Sequence, residues 1–518
     1  MLSQQEVIRL KGSLATLKST WDSKFYEVFS YTQPWRNYVY RFKGATGPES
    51  QKQVNLYTNA GQFGTDMFIS RLQNRMTPYG QPYFQIFPKE SLDDDIKANI
   101  TPFLEELSAA VNEKKDELRL DNMIQSAYYD LSAGSAILMR QNTNRGLAFC
   151  HIPLTDISLG CEKNQSVSRT FKIPQGRLGE IYPELAERAI QGLYVNEANK
   201  YEEKEFCDIL YYDEGNKIYE YFLLMGDQII LKRQYKTSPF HIFHWSKAAD
   251  MPFGNGVCQK VLPNIKRLNK YIKAKLEIIP FAFPMFFAKN GAIMDRNITY
   301  KPGAFIWCQN PNDIVPIKMN EGASTFQLEI ANEEAQIKEG MLGITIPTQA
   351  QAGITATEIA TRVNMSNEPF NANVTRLTEV LQDIGWDIVQ DAFRSQLLGI
   401  VDFSFDELKS WCEIRINNDS QVDQNLIEKI QSYITFIGQF DPQAIYQSLS
   451  RGAVLSLLQK GYNLPVSIRR TAKEIDQAAQ VESQAQAEQV QAQVETQAAL
   501  DANKENSKAI AQAAAKGA

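Results

Sequence analysis

Hydrophobic positions repeat most regularly between residues 354 and 398. Ile359, Val363, Phe370, Val374, Leu377, Leu381, Ile384, Ile388 and Leu397 recur at spacings of threes, fours and sevens, which is one face of a helix. The pattern spans about 45 residues, against about 11 or 12 for an ordinary helix. Pro369 lies inside it, and a kink is expected there because proline lacks an amide donor and crowds the preceding turn. Just before it, Gly340-Met-Leu-Gly-Ile-Thr-Ile-Pro-Thr-Gln-Ala-Gln-Ala-Gly353 has no periodicity and is bounded by glycines. A loop followed by a long beam reads as architecture rather than as the wall of a catalytic pocket.

The same reading predicts elements on either side. Residues 1–135 are mainly helical. Ser3-Gln-Gln-Glu6 resembles a capping box ahead of Val7, Leu10 and Leu14. A second helix covers Leu56 to Met76, with Phe63, Met67, Leu72 and Met76 as its apolar side, and Thr77-Pro78-Tyr79-Gly80-Gln81-Pro82 stops it. Further helices are expected near Asp94 to Leu118 and Asp121 to Ser132. Residues 136–256 change to short β-branched and aromatic runs: 136–139, 147–150, 205–212, 218–224 and 228–231. They predict one small antiparallel unit, with a helix over Leu178 to Gly192 inserted.

Residues 257–279 return to helical spacing. Val261, Ile265, Leu268, Ile272, Leu276 and Ile279 share one side, and Lys266, Arg267, Lys270 and Lys273 gather roughly opposite. A β-rich insert follows, with an Asn290-Gly291 turn and strands near Ala304 to Cys308 and Ile314 to Ile317. A helix from Ser324 to Glu339 then leads back to the glycine-bounded loop. After Leu398 comes a mixed segment containing Trp411-Cys-Glu-Ile-Arg-Ile416, and helical patterns at 421–439 and 442–460. From Arg470 the chain is dominated by Ala, Gln and Glu, with no aromatic residue or proline and no sustained heptad. Residues 471–518 form a tail that is disordered, or helical only when assembled. The fold class is α+β, mainly helical, and length alone suggests about three units.

Composition changes this picture little. Hydrophobic residues make up 43%, charged residues 22% and aromatics 11%, ordinary values for a soluble protein. The net charge of −6 does not encode general nucleic-acid affinity, so any such contact rests on local basic stripes or is weak. Cys150, Cys161, Cys207, Cys258, Cys308 and Cys412 are scattered with no CxxC pair. That argues against a disulfide framework or zinc site and fits a reducing compartment. Met1-Leu-Ser-Gln-Gln-Glu6 lacks a basic-then-apolar leader pattern. The longest apolar stretch, Ile278 to Ala288, is too short to span a bilayer and contains Pro280 and Pro284. Synthesis in the cytosol and no membrane contact are the expectations.

Candidate chemistry is sparse. No G-x-x-x-x-G-K-S/T phosphate loop is present, and no G-x-S-x-G elbow. Gly254-Asn-Gly256 offers two glycines of a dinucleotide turn without the third. His241-Ile-Phe-His244 lacks the internal carboxylate of a metalloprotease motif, and on extended backbone its histidines point to opposite faces. The reading is no enzyme, no cofactor and no metal. The basic stripe has two readings: the solvated face of an amphipathic helix, or a set of cations facing a phosphate backbone, repeated around a ring as a diffuse positive belt.

Several segments, in order over residues 20–470, resemble the portal proteins of tailed bacteriophages, specifically podovirus-type head-to-tail connectors. They are Tyr31-Thr-Gln-Pro34 with Leu56-Tyr-Thr-Asn-Ala60, Ser70-Arg-Leu-Gln-Asn-Arg-Met-Thr-Pro78 and Pro82-Tyr-Phe84; Ser132-Ala-Gly-Ser-Ala136; Phe253-Gly-Asn-Gly256 running into Leu262-Pro-Asn-Ile-Lys-Arg-Leu-Asn269; and Thr355-Ala-Thr-Glu358 with Arg362. Two departures stand out: no Arg follows Gly254, and Asn364-Met365-Ser366 replaces the glutamates usual after the arginine.

The resemblance implies a ring, usually of twelve subunits, with wing, stem, clip, crown and tunnel loop. Residues 1–135 and 136–256 would be helical and β-rich parts of the wing. Residues 257–283 and 324–339 would be stem helices around a clip at 284–323, the latter including Phe286, Lys289, Asn290, Trp307 and Asn310. The tunnel loop would be 340–353, with Gly340, Gly343, Ile344, Ile346, Pro347, Gln349, Gln351 and Gly353, hinged by its end glycines. Residues 354–398 would be the long wing helix, and 399–470 a return segment and helical crown. The implied role is a capsid-vertex channel for double-stranded DNA during packaging and ejection. The implied partners are further copies of itself, the terminase large subunit, tail adaptor or nozzle proteins, and major capsid and scaffold proteins. A scaffold or minor capsid protein without a channel is the alternative. A packaging ATPase or nuclease is disfavoured by the missing phosphate loop.

Overall fold

A computed structural model describes residues 2–36, 55–89, 91–143, 146–185, 200–278, 286–288, 310, 314–316, 322–341, 356–395, 403–416, 432 and 435. The chain divides into two units, Met1–Asn417 and Asn418–Ala518, and the described residues lie in the first apart from Ser432 and Thr435.

The N-terminal part is helical: α1 (Gln4–Thr32), α2 (Ala60–Met76), α3 (Asp94–Glu117) and α4 (Leu120–Ala133), with the short strand β1 (Phe84–Pro88) between α2 and α3. The capping box forms at the start of α1. Ser3 accepts from the Glu6 amide, and the Glu6 carboxylate accepts from the Ser3 amide, which satisfies two amides the helix itself leaves open. The stop after α2 is pinned by a buried set of polar groups. Asn112 accepts from the Tyr83 and Phe84 amides and donates to the Phe84 carbonyl. The Tyr83 hydroxyl donates to Asp121 at 2.9 Å, and the Lys115 ammonium sits 4.5 Å from the Tyr83 ring centroid.

Next come β2 (Ser135–Thr143), β3 (Gly146–Ile152), β4 (Ile157–Leu159), β5 (Val167–Pro174), one helical turn α5 (Leu178–Ile181), β6 (Glu203–Asp213), β7 (Ile218–Met225), β8 (Gln228–Tyr235) and β9 (Phe240–His244). The expected single β unit is two sheets. One is three-stranded in the order β3-β2-β9, the other five-stranded in the order β4-β5-β6-β7-β8. Every described pairing in them is antiparallel. The helix expected over 178–192 is the single turn α5 followed by a 3-10 turn at Pro183–Leu185, and its remaining residues lie outside those described.

The C-terminal part of the first unit holds α6 (Val257–Ile278), β10 (Phe286–Ala288), β11 (Ile314–Pro316), α7 (Gly322–Gly340), α8 (Ala356–Arg394), α9 (Phe405–Trp411) and β12 (Cys412–Ile416). β10 pairs with β11. β12 pairs with β1, Phe84 opposite Ile416, which ties the segment after the beam to the N-terminal bundle. The beam is one helix of 39 residues that continues through Pro369. Its apolar face is buried where side chains are described: Val374, Leu377, Leu381, Ile384 and Ile388 are all 4% exposed or less.

Most of these elements contribute to one large core. Phe68 of α2 meets Trp245 edge-on at 5.0 Å, and Phe25 of α1 meets Phe253 likewise at 5.2 Å. A satellite cluster forms where Val7 at the start of α1 covers Cys207, Ile209, Phe222 and Leu224 of the five-stranded sheet. At its edge the Leu2 amide donates to the buried Glu220 carboxylate at 3.1 Å.

One expected face is wrong. On α2, Leu72 and Met76 are fully buried, but Phe63 is 61% and Met67 49% exposed. The buried face runs through Gly61, Gly64, Thr65, Phe68, Ile69 and Leu72. An added Cβ on Gly61 would lie 2.7 Å from the Tyr31 carbonyl oxygen, and one on Gly64 would lie 3.0 Å from Met341. Close approach to α1 and to the end of α7 thus selects the glycine face, and the bulky residues are left outside.

Candidate functional site

Two of the segments singled out in the sequence lie on each other. Gly134, between α4 and β2, has φ 138°. An added Cβ there would lie 2.1 Å from the Gly254 carbonyl oxygen, and one on Gly256 would lie 2.1 Å from the Ser132 carbonyl oxygen. No side chain fits between these backbones. Hydrogen bonds close the junction: Trp245 N–H to the Gly134 carbonyl at 3.0 Å, Gly254 N–H to Ser135 Oγ at 2.8 Å, and Gln259 Nε2 to the Ala133 carbonyl at 2.8 Å. The glycines of Gly254-Asn-Gly256 therefore serve backbone packing at the root of α6, which accounts for them without a dinucleotide.

The histidines separate as their register predicts. Gln165 Nε2 donates to the Gly160 and Pro252 carbonyls, so its Oε1 accepts from His244 Nε2 at 2.7 Å. His244 Nδ1 is then an acceptor, 2.8 Å from Ser135 Oγ. The ring is held neutral. Burial, and secondarily Lys247, push its pKa down to about 3. His241 faces the other way, with Nε2 2.8 Å from Asp387 Oδ2 on α8, and Arg140 of β2 pairs with the other carboxylate oxygen. This clamp fixes the beam to the three-stranded sheet. It was not foreseen. The signal for it was a carboxylate at the edge of the long apolar face, beside Ile384 and Ile388.

α6 and α7 form an antiparallel hairpin. Asn264 Nδ2 donates to Gln336 Oε1 at 2.6 Å, and Arg267 Nε lies 3.1 Å from Glu333 Oε1. Gly340 ends α7 with the Val261 methyl 2.3 Å from where its Cβ would stand. Gly340 thus permits close contact between the two helices. Of the expected cations, Lys266 pairs with Glu27 of α1, Arg267 with Glu333 of α7, and Lys273 with Glu277 one turn on, at 3.6 Å. Lys270 is exposed between them. Three of the four positive charges are thus offset within the chain.

The other expected site residues are only partly placed. Gly343, Ile344, Ile346, Pro347, Gln349, Gln351 and Gly353 lie outside the described residues, as do Lys289, Asn290 and Trp307. Phe286 opens β10, opposite Pro316, and Asn310 is exposed. Among the described residues no cluster of His, Cys, Asp and Glu is arranged to hold a metal ion, and no helix is long and apolar enough to cross a membrane.

The family described as bacteriophage head to tail connecting protein matches residues 4–383. The chain belongs to that family. Its match covers the glycine junction, the hairpin and most of the beam. Members of this connector family are structural proteins of the virion, associated with head and tail. A search of curated proteins finds no significant match.

Proposed function

We propose that this connector is the subunit of a closed ring at one capsid vertex, through which double-stranded DNA enters during packaging and leaves during ejection. The observation that carries the reading is the order of elements inside the family match: α6, a β insert, α7, a glycine-bounded stretch, then most of a 39-residue helix. In this reading α6 and α7 are the stem, β10 and β11 belong to the clip, 340–353 is the tunnel loop, α8 is the wing helix, and the crown follows residue 420. The clip docks the terminase large subunit and later the tail adaptor, and the outer body meets capsid and scaffold proteins.

The charge pattern supports a conducting wall over a binding one. Each phosphate neutralised by a cation steepens the salt dependence of DNA affinity by about 0.9 in log–log slope. With Lys266, Arg267 and Lys273 paired to carboxylates, Lys270 is the stripe's main contribution. A ring of such subunits attracts DNA diffusely without gripping it.

Negative-stain imaging of the purified chain tests the reading. Rings with a central hole support it, and a chain that stays monomeric at micromolar concentration sinks it. Deleting 343–352 tests the loop: packaging and genome retention are expected to fall, and unchanged values would remove the loop from the mechanism.

A further inference from the structure

The two ends of α1 are held very differently. Residues 21–32 sit in the main core, where Trp21, Phe25, Val28 and Phe29 are buried together with Ser30 and Thr32. In residues 2–11 only Val7 is buried, and Leu2, Ile8, Leu10 and Lys11 are half-buried. Val7 belongs to the satellite cluster, apart from the main core. Segments with few buried apolar contacts open locally at low cost, so the start of α1 is its weakly held end.

What this end covers is apolar. Cys207 and Ile209 of β6 stand opposite Leu224 and Phe222 of β7, on the sheet face that Leu2, Val7 and Leu10 close. Glu220, two residues before Phe222 and 2% exposed, shares that face. It accepts from the Leu2 amide at 3.1 Å, so the cover also keeps a carboxylate out of water, which costs free energy. Two further links are exposed: Gln4 Nε2 donates to the Asp227 carbonyl at 2.8 Å, and Lys11 Nζ to the Gly226 carbonyl at 3.3 Å. Water replaces such bonds with little net loss.

The helix is weak where the two ends join. An added Cβ on Gly12 would meet nothing within 4 Å, and glycine destabilises a helix interior. Ser13 Oγ donates to the Leu10 carbonyl and Thr16 Oγ1 to the Gly12 carbonyl, both at 3.0 Å. Such back-bonding loosens and bends helices. Leu14, 1% exposed, marks where firm anchoring resumes.

We propose that residues 2–11 form a releasable strap over the five-stranded sheet. The strap lifts as a unit about Gly12–Ser13 while the main core stays folded. Lifting uncovers Cys207, Ile209, Phe222 and Leu224 as one apolar face and returns Glu220 to water.

Cysteine alkylation of the full chain tests this, because the chain carries its own reference. Cys207 lies under the strap, whereas Cys258, also buried, lies in the main core. The native protein is pulsed with N-ethylmaleimide, and the two cysteine peptides are followed by mass spectrometry. Cys207 is expected to react about tenfold faster or more. Its rate is expected to change little in sub-denaturing urea, while that of Cys258 climbs, because global opening exposes far more surface. A Cys207 rate equal to or below that of Cys258, with the same urea dependence, would show that strap and core open together and overturn the proposal. Ile388→Val supplies a second reading. Ile388 is buried in the main core on α8, so shortening it is expected to speed Cys258 and leave Cys207 unchanged. The proposal also fails if both cysteines speed up by the same factor.

Discussion

An added methyl group at Gly134 would lie 2.1 Å from the Gly254 carbonyl oxygen, whereas at Gly12 it would meet nothing within 4 Å. Both glycines accompany small hydroxyl residues. At the junction, Gly134, Gly254 and Gly256 let two segments of one chain touch, with Trp245 and Phe253 packed nearby. On α1 and α2 the same residue types face outward, and nothing in the described chain covers them. The described body thus divides into segments that satisfy their own chemistry and helix faces left exposed.

The sharpest way to break that comparison is at the junction. Gly134→Ala adds both a clash and a strained φ of 138°, and is expected to cost about 3–5 kcal/mol or prevent folding. Urea denaturation measures it, and a cost below about 1 kcal/mol would mean the backbones are not in contact. Next is the clamp on the beam. Asp387→Ala leaves Arg140 and His241 buried without their carboxylate and is expected to cost about 3–5 kcal/mol. A matching denaturation series checks it. Lys270→Ala, on the exposed hairpin face, is expected to stay within about 0.5 kcal/mol of the parent.

Acid probes the same body. His244 has its pKa depressed in the folded state, to about 3 from an ordinary 6.5, by burial first and Lys247 second. The unfolded chain therefore binds the extra proton between these values, and stability is lost as pH falls through that window, by up to ~1.4 kcal/mol per pH unit. Asp130 acts in the same direction at lower pH. Burial alone would raise its carboxyl, but Arg36 and His151 win and hold it below the ordinary value. Asp208 acts oppositely, because burial raises it despite Arg169. Its contribution declines as pH rises from the ordinary carboxylate value to its raised one. Melting curves from pH 7 to pH 4 are expected to fall steeply for the parent and less so for His244→Asn. Gly12 works in the opposite direction. Gly12→Ala is expected to stabilise the subunit by about 0.5–1 kcal/mol through helix propensity alone, and thermal unfolding of the subunit checks the sign.

Much of the fold was legible because it rests on periodicity. The 3.6-residue repeat placed α3, α4, α6, α7 and α8 to within a few residues of their ends, and Ser3 with Glu6 placed the start of α1. What escaped was long-range. Nothing local to Phe84 or Ile416 says that they pair across more than three hundred residues of chain. Nothing local to Asp387 names Arg140 and His241. The α2 face was misjudged because apolarity was weighed and glycine was not. Gly61 and Gly64 carry the stronger signal, since close helix approach needs them where a phenylalanine can be left outside. The basic stripe was legible as a pattern, but its partners Glu27 and Glu333 come from other helices, and only the folded chain shows the charges offset.

The central claim is the proposal that this connector subunit closes into a ring. Measuring the mass of the purified full chain by native mass spectrometry, with imaging of the same sample, tests it most directly. A single closed assembly with a central opening is the predicted result. Monomers at micromolar concentration, or open filaments that never close, would contradict it.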